Sequence, residues 1–204
     1  MPAPDRQTLR KALRKEKIKA REALTPQERA EKSRSICAFI LQTPEWKRAK
    51  TVMIYKFVKG EVQLKALEEA NEALPEAERK TLLYPLCIED RGMLAIAPGS
   101  TDLNSAAWKK GAFGIPEPVP EQGSVVAPED IDLVVSPCSS FDGTFMRLGM
   151  GGGYYDRFLP LCTKAVIAAA AFCTQKTELV PMEKTDCPMD RIFTDEEVFG
   201  PFPD

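Results

Sequence analysis

The stretch RLGMGGGYYDRF, residues 147–158, places four glycines among the five positions 149–153, with Arg147 ahead of them and Tyr154, Tyr155 and Asp156 behind. Glycines at this density admit positive φ and let backbone N–H groups approach a ligand that a Cβ would hold off. Where such a loop opens a helix, its free N–H groups and the positive end of the dipole favour an anion, most often phosphate. Two common phosphate loops are excluded by spacing: no Gly-Lys-Ser/Thr follows Gly149, and Tyr154 stands where a dinucleotide fingerprint needs glycine. A tight packing turn between strand and helix is the alternative use of the same glycines. Arg147 offers a permanently charged fork suited to phosphate oxygens, and Asp156 a hard oxygen ligand. Backbone N–H groups, an arginine and a carboxylate together describe a nucleoside triphosphate bound with Mg2+. Asp156 is also readable as a first-turn acid favoured by the helix dipole. The late segment TDCPMDR adds Asp186 and Asp190, loop carboxylates that could fold back to the same rim or stay solvated.

Histidine is absent from the 204 residues, which excludes Ser-His-Asp and Cys-His nucleophilic systems and His-ligated zinc. The six cysteines form no close CxxC pair and read as reduced, mostly buried small apolar residues. No hydrophobic run follows Met1, and the longest apolar stretch, AVIAAAAFC, is too short to span a bilayer. A cytoplasmic protein without a membrane segment is expected. The net charge of −2 conceals an asymmetry, because residues 1–34 carry 11 Lys and Arg against 5 Asp and Glu, leaving 17 against 25 in the remainder. That basic segment is a solvated helix or a binding surface.

The elements that must position the loop follow from periodicity. DRQTLRKALRKEKIKAREAL has helical spacing, with Leu9, Leu13, Ala20 and Leu24 on one side and Arg10, Arg14, Lys17 and Arg21 on another. It is expected to lie on the domain and present a row of cations. In TPQE, Thr25 is an N-cap, Pro26 opens the helix and Glu28 completes a capping box, starting a second helix to about Leu41 that pairs with the first as a hairpin. TVMIY reads as a strand, QLKALEEANEAL as a helix, and TLLYPLC and MLAIAP as strands. Residues 98–130, rich in Pro, Gly, Ser and acids, read as a long connecting loop. IDLVVSP is a buried strand, YYDRFLPLC begins a helix, AVIAAAAF is another strand, and the chain closes in a loop with a short strand. Alternating strands and helices predict a single three-layer α/β domain over residues 1–204, with a mostly parallel sheet covered by helices on both faces. Ligands of such sheets bind beyond the carboxyl ends of the strands, where the glycine segment follows IDLVV.

The string RLGMGGGYYDRFL, with LRKALR near the start, GE after the first strand, GIPEP, FD before the loop and DCPMDRIFT near the end, closely resembles the 5-formyltetrahydrofolate cyclo-ligase (5,10-methenyltetrahydrofolate synthetase) family over nearly the whole chain. The resemblance implies an ATP- and Mg2+-dependent enzyme that converts 5-formyltetrahydrofolate to 5,10-methenyltetrahydrofolate, releasing ADP and phosphate. It implies ATP contacts from Arg10 and Arg14 and from Arg147, Leu148, Gly149, Met150, Gly151, Gly152, Gly153, Tyr154 and Tyr155, with Asp156 and Asp190 holding the metal. It places the folate against Lys56, Glu61 and the segment Met150 to Tyr154, with Phe113, Tyr84 and Met93 lining the same cleft. Glu61, Arg147 and Tyr154 are the residues expected to act in the reaction. Such a transfer needs positioning and charge stabilisation more than a strong base, which suits a chain without histidine.

The chain also departs from the family pattern. Cys138 follows Pro137 where a glycine is usual, Phe145 stands where glycine is common two residues before the arginine, and Met150 and Gly152 stand where many members carry a larger or basic residue. A monomer is expected. Two other functions compete with the cyclo-ligase reading. One is a sugar-phosphate isomerase or CoA-transferase-like enzyme that uses the loop for phosphate without ATP. The other is an RNA- or nucleotide-binding module built on the basic helices, for which no nucleic-acid motif is present; neither nucleic acid nor membrane is expected as a partner.

Overall fold

The computed structural model describes residues 5–58, 60–88, 92–111 and 114–200. In chain order its helices are α1 (Arg6–Glu22), α2 (Pro26–Gln42), α3 (Pro44–Arg48), α4 (Lys65–Glu72) and α5 (Tyr154–Phe158). Its strands are β1 (Thr51–Met53), β2 (Thr81–Ile88), β3 (Gly92–Pro98), β4 (Trp108–Lys110), β5 (Pro116–Pro118), β6 (Gly123–Val126), β7 (Leu133–Pro137), β8 (Ser140–Phe141), β9 (Arg147–Leu148), β10 (Val166–Ala170), β11 (Arg191–Phe193) and β12 (Val198–Phe199). Eight of them form one sheet in the order β12-β11-β10-β7-β1-β2-β3-β6. The five central strands β11, β10, β7, β1 and β2 run parallel, and antiparallel strands close both edges.

Strict alternation divides the core. Val52, Leu82, Tyr84, Leu133, Val135, Ala168 and Ala170 point to one face, where Ile36, Ile40, Trp46 and Leu67 of α2, α3 and α4 cover them. Met53, Leu83, Val134, Ile167 and Ala169 point to the other, against Phe158 of α5 and Leu159. Burial on both faces explains why these strands read as continuous apolar runs. The expected layering of helix, sheet and helix is therefore present.

The crossovers fix the position of a ligand crevice. The chain leaves β1 through α4 on the first face to reach β2, and leaves β7 through α5 on the second face to reach β10. Because β1 and β7 are neighbours whose connections diverge, their carboxyl ends bound a crevice. Residues 54–64 follow β1 and the segment from Cys138 to Gly153 follows β7.

Three sequence expectations need correction. Instead of packing on each other as a hairpin, α1 lies against β8 and residues 173–175, whereas α2 packs on α3, α4 and β11. The capping box at Thr25 and Glu28 is present, so the start of α2 was legible although its partner was not. The span 98–130 is not one loop: β4 and β5 form a hairpin, and β6 extends the sheet beside β3. Those strands have three or four residues, too few for alternation to register among prolines and glycines. Finally, α5 is a turn and a half rather than a full helix, passing into a tight turn at Leu159–Leu161. No helix among the described residues is long and apolar enough to cross a membrane.

Candidate active site

The cationic stripe of α1 faces the protein, contrary to the expectation that it would be displayed. Arg10 Nη1 donates to Pro181 O at 2.8 Å, Arg14 Nε to Gly149 O at 2.8 Å and Arg21 Nη1 to Cys138 O at 3.2 Å, while Leu9 is exposed. Helical spacing spreads these guanidinium groups along one face over roughly 16 Å at about 1.5 Å per residue. Backbone carbonyls at the strand ends give buried arginines acceptors that an apolar layer would not. Arg10 is also paired with Asp186, whose second oxygen accepts from Nη2 at 3.0 Å. Burial works against the Arg10 charge, yet the hydrogen bond and field of Asp186 hold its pKa above the ordinary value. Arg14 differs. No carboxylate among the described residues pairs with it, and burial followed by the charge of Arg10 pushes its pKa down. It is a half-buried cation for which an anion would be a favourable neighbour.

The glycine loop is anchored at both ends. Ser139 Oγ donates to Leu148 O at 2.7 Å and to Gly149 O at 3.1 Å. Asp142, fully buried, accepts from Thr144 N at 2.9 Å and from Val180 N at 2.7 Å, tying the β8–β9 turn to the loop after residue 176. Within that turn Phe145 has φ 65°, a conformation costly for a side chain and free for glycine; the residue that departs from the family pattern is the one that bears the strain. Gly151 has φ 106°, and a Cβ there would stand 3.4 Å from the Arg14 guanidinium carbon. Gly153 caps α5 with φ 66°, and a Cβ there would stand 2.8 Å from Arg157 Nη1. The loop is thus bare where two arginines lie on its backbone. Since α5 has five residues, its dipole adds less than a longer helix would, and the N–H groups themselves carry the anion-binding capacity.

A cavity of about 750 Å³ opens over this loop, with Arg10, Lys11, Arg14 and Arg157 as its cations and Asp156 and Asp186 among its acids. Of the expected nucleotide residues, Arg10, Arg14, Gly149, Gly151, Gly152 and Gly153 line it. Arg147 does not. It is 2% exposed, with Nη1 donating to Pro137 O at 3.0 Å and Nη2 to Asp156 Oδ1 at 2.6 Å. Its guanidinium lies beneath the loop over the Tyr155 ring and pairs with Asp156. Leu148 is buried in β9, Met150 is exposed at the loop tip, and Tyr154 is half buried against the second core with Arg157 over its ring. Lys11 and Arg157 were missed as cavity residues. Arg157 closes the quoted YYDR string and donates to Gly152 O at 3.2 Å.

The two acids expected at a metal are not brought together. Asp156 faces the cavity with one oxygen taken by Arg147. Asp190 does not line it: its Oδ2 accepts from Ile167 N at 2.7 Å, near the start of β10 and toward the opposite end of the strands from the rim. The acid of that segment in the cavity is Asp186. Among the described residues, Cys173, Asp195 and Glu196 form the one cluster close enough to share an ion, and Lys32 already pairs with Asp195 there.

On the β1 side, Glu61 is buried beside Arg21, with Val58 N donating to Oε2 at 3.0 Å and Arg21 Nη2 at 3.7 Å from Oε1. Burial pushes its pKa up, and Val58 and Arg21 oppose this. Lys56 pairs with Glu68 and sits over the rings of Tyr84 and Trp108. Tyr84 Oη donates to Glu68 at 2.6 Å and is buried in the first-face core, whereas Met93 belongs to the second-face core. Tyr84 and Met93 therefore do not share a cleft, because residues of opposite strand parity face opposite sides of the sheet. Phe113 lies outside the described residues.

Residues 4–195 match the 5-formyltetrahydrofolate cyclo-ligase family. This chain belongs to that family. The family's 5-formyltetrahydrofolate cyclo-ligase from Haemophilus influenzae is 29% identical over 182 residues, covering 88% of this chain and 94% of the relative. A probable 5-formyltetrahydrofolate cyclo-ligase from Schizosaccharomyces pombe is 29% identical over 180 residues, covering 80% and 84%. Among solved structures, the 5,10-methenyltetrahydrofolate synthetase of Aquifex aeolicus is 34% identical with a TM-score of 0.79, covering 94% of this chain and 92% of that one. The synthetase of Mycoplasma pneumoniae, 24% identical with a TM-score of 0.72 over 92% of this chain and 99% of that one, shares the fold. Cyclo-ligase membership gives the switch-point crevice, the glycine loop and the α1 arginines one common context.

Proposed function

We propose that this chain converts 5-formyltetrahydrofolate to 5,10-methenyltetrahydrofolate with consumption of ATP and release of ADP and phosphate. One observation carries the nucleotide half of this reading: Arg14, a half-buried cation without a carboxylate partner, is held on the glycine-loop backbone at the wall of a cavity large enough for a nucleotide. A polyphosphate would supply the charge it lacks, with Lys11 and Arg157 adding charge at the cavity wall and the N–H groups of residues 151–153 meeting phosphate oxygens.

The chemistry then needs placement more than acid or base strength. The formyl oxygen attacks the γ-phosphorus, the bond from that phosphorus to the bridging oxygen breaks, and ADP leaves. N10 closes on the activated carbon, gives up its proton, and phosphate departs with the former formyl oxygen. An in-line transfer requires the formyl oxygen and the γ-phosphorus to meet directly beside the segment Gly151 to Tyr154. Glu61, desolvated in the loop after β1, is the carboxylate suited to orient the pterin ring or accept a proton. Mg2+ would neutralise the phosphates, and Asp156 fits it, since its Oδ1 is taken by Arg147 and its Oδ2 is open at the cavity wall. One carboxylate with phosphate oxygens and water satisfies that ion. Asp190 would join only if its bond to Ile167 N were given up.

Purified protein mixed with 5-formyltetrahydrofolate and Mg·ATP is expected to develop the near-ultraviolet absorbance of the methenyl product. Absence of that signal at high enzyme concentration would overturn the proposal.

A further inference from the structure

The nucleotide cavity leaves the second buried arginine of α1 without a use. Arg21 is 1% exposed, its Nη1 donates to Cys138 O, its Nη2 faces Glu61 Oε1 at 3.7 Å, and its Nε has no partner. A guanidinium remains charged even where buried, so its surroundings must answer that charge. Glu61 is the carboxylate that does so. Glu61 accepts from Val58 N and pairs with Arg21 of α1, while Tyr55, Cys138 and Tyr155 lie near enough for its charge to act on them. Arg21 is the one cation among them.

The placement is also specific. Glu61 follows β1 and Cys138 follows β7, so the two contacts of Arg21 join the carboxyl ends of the strands that bound the crevice. On the same helix, Arg14 holds Gly149 O of the glycine loop. A rigid α1 therefore links the nucleotide wall to the carboxylate on the folate side.

We propose that Arg21 is a positioning residue which, acting through Glu61, fixes that carboxylate in the crevice while α1 holds the glycine loop. The proposal rests on the reading of Glu61 as the group that meets the folate. Burial alone raises the Glu61 pKa and Arg21 opposes it, so losing the cation moves that carboxyl further up.

The test compares wild type, Arg21→Met, Arg21→Lys, Glu61→Gln and the Arg21→Met/Glu61→Gln double variant in the absorbance assay across pH, with circular dichroism reporting the fold. Wild-type turnover is read first: a silent wild type sinks the parent reading and this proposal with it, whereas an active one isolates Arg21. For Arg21→Met, the acidic limb of kcat/KM for the folate is expected to move up by about one pH unit, with a loss of roughly tenfold at neutral pH. Its KM for ATP stays within about twofold, Arg21→Lys recovers much of the loss, and the double variant is within about twofold of Glu61→Gln, as for residues acting as one unit. An acidic limb that stays in place, or losses that multiply in the double variant, would assign Arg21 to fold stability alone. Should Arg21→Met fail to fold, Arg21→Gln decides, since its neutral amide removes the cation while keeping a donor for Cys138 O. An upward shift of its acidic limb supports the proposal, and an unmoved limb contradicts it.

Discussion

Asp156 stands between a buried arginine and an open cavity, and its two oxygens have different work: one balances Arg147, the other faces the place proposed for metal and phosphate. Asp156→Asn should therefore abolish turnover and also weaken the fold, because the Arg147 charge loses its counterion. A cost of about 2 kcal/mol for a buried charge left half answered lowers Tm by roughly 4–8 °C in a chain of this size, measurable by thermal unfolding beside the activity assay. Unchanged Tm with lost turnover would mean that Arg147 does not depend on Asp156. Arg14→Ala should raise the KM for ATP roughly tenfold, the effect of losing one charge-assisted contact, and leave the KM for folate within about twofold. Equal changes in both would remove Arg14 from the nucleotide side. At this scale the residue types were legible and their exposure was not. The sequence shows that Arg147 is near the loop but not that it lies beneath it, and DxxxD shows two acids but not that Asp186 turns to Arg10 while Asp190 turns to Ile167 N.

The glycine loop is the element in which sequence and structure agree most closely. Gly151 needs its left-handed backbone and would bring any Cβ toward Arg14, so Gly151→Ala should raise the KM for ATP about tenfold or more. As the loop is exposed, the variant should cost about 1–2 kcal/mol of stability, the order expected for a strained residue at positive φ. Steady-state kinetics with calorimetry check both, and a KM for ATP unchanged by the substitution would show that the loop does not touch nucleotide. The first helix was legible as an element and not in its orientation. Periodicity separates a charged stripe from an apolar one without saying which meets the protein, and here carbonyls of Pro181, Gly149 and Cys138 make the charged stripe the inner one. The hairpin of β4 and β5 and the edge strand β6 escaped for the opposite reason, being too short to carry a period.

For the whole molecule, the alternation of strands and helices gave the layered sheet, and the switch point between β1 and β7 followed only once strand order was known. The docking of α2 on the first face of the sheet depends partly on Asp195, which follows β11 and pairs with Lys32. Burial opposes its charge, but Lys32 of α2 and the Cys173 N–H hold its pKa below the ordinary carboxylate value. A carboxylate depressed in the folded state stabilises the protein above its unfolded pKa of about 3.9, and that stability is lost as pH falls through the folded value. Asp195→Asn should thus lower Tm at pH 7 and show a smaller fall in Tm between pH 6 and pH 3 than the wild type, as read by calorimetry; an equal fall would show that Lys32 and Asp195 do not hold α2 in place. The central claim joins two halves of one crevice, a nucleotide wall on α1 and the glycine loop and a folate side after β1, into one coupled reaction. The most direct measurement is the simultaneous appearance of ADP and of the methenyl absorbance when wild-type protein meets 5-formyltetrahydrofolate and Mg·ATP. Equimolar formation of the two, with neither formed when either substrate is omitted, is the predicted result; methenyl product without ATP, or ADP released without methenyl product, would contradict it.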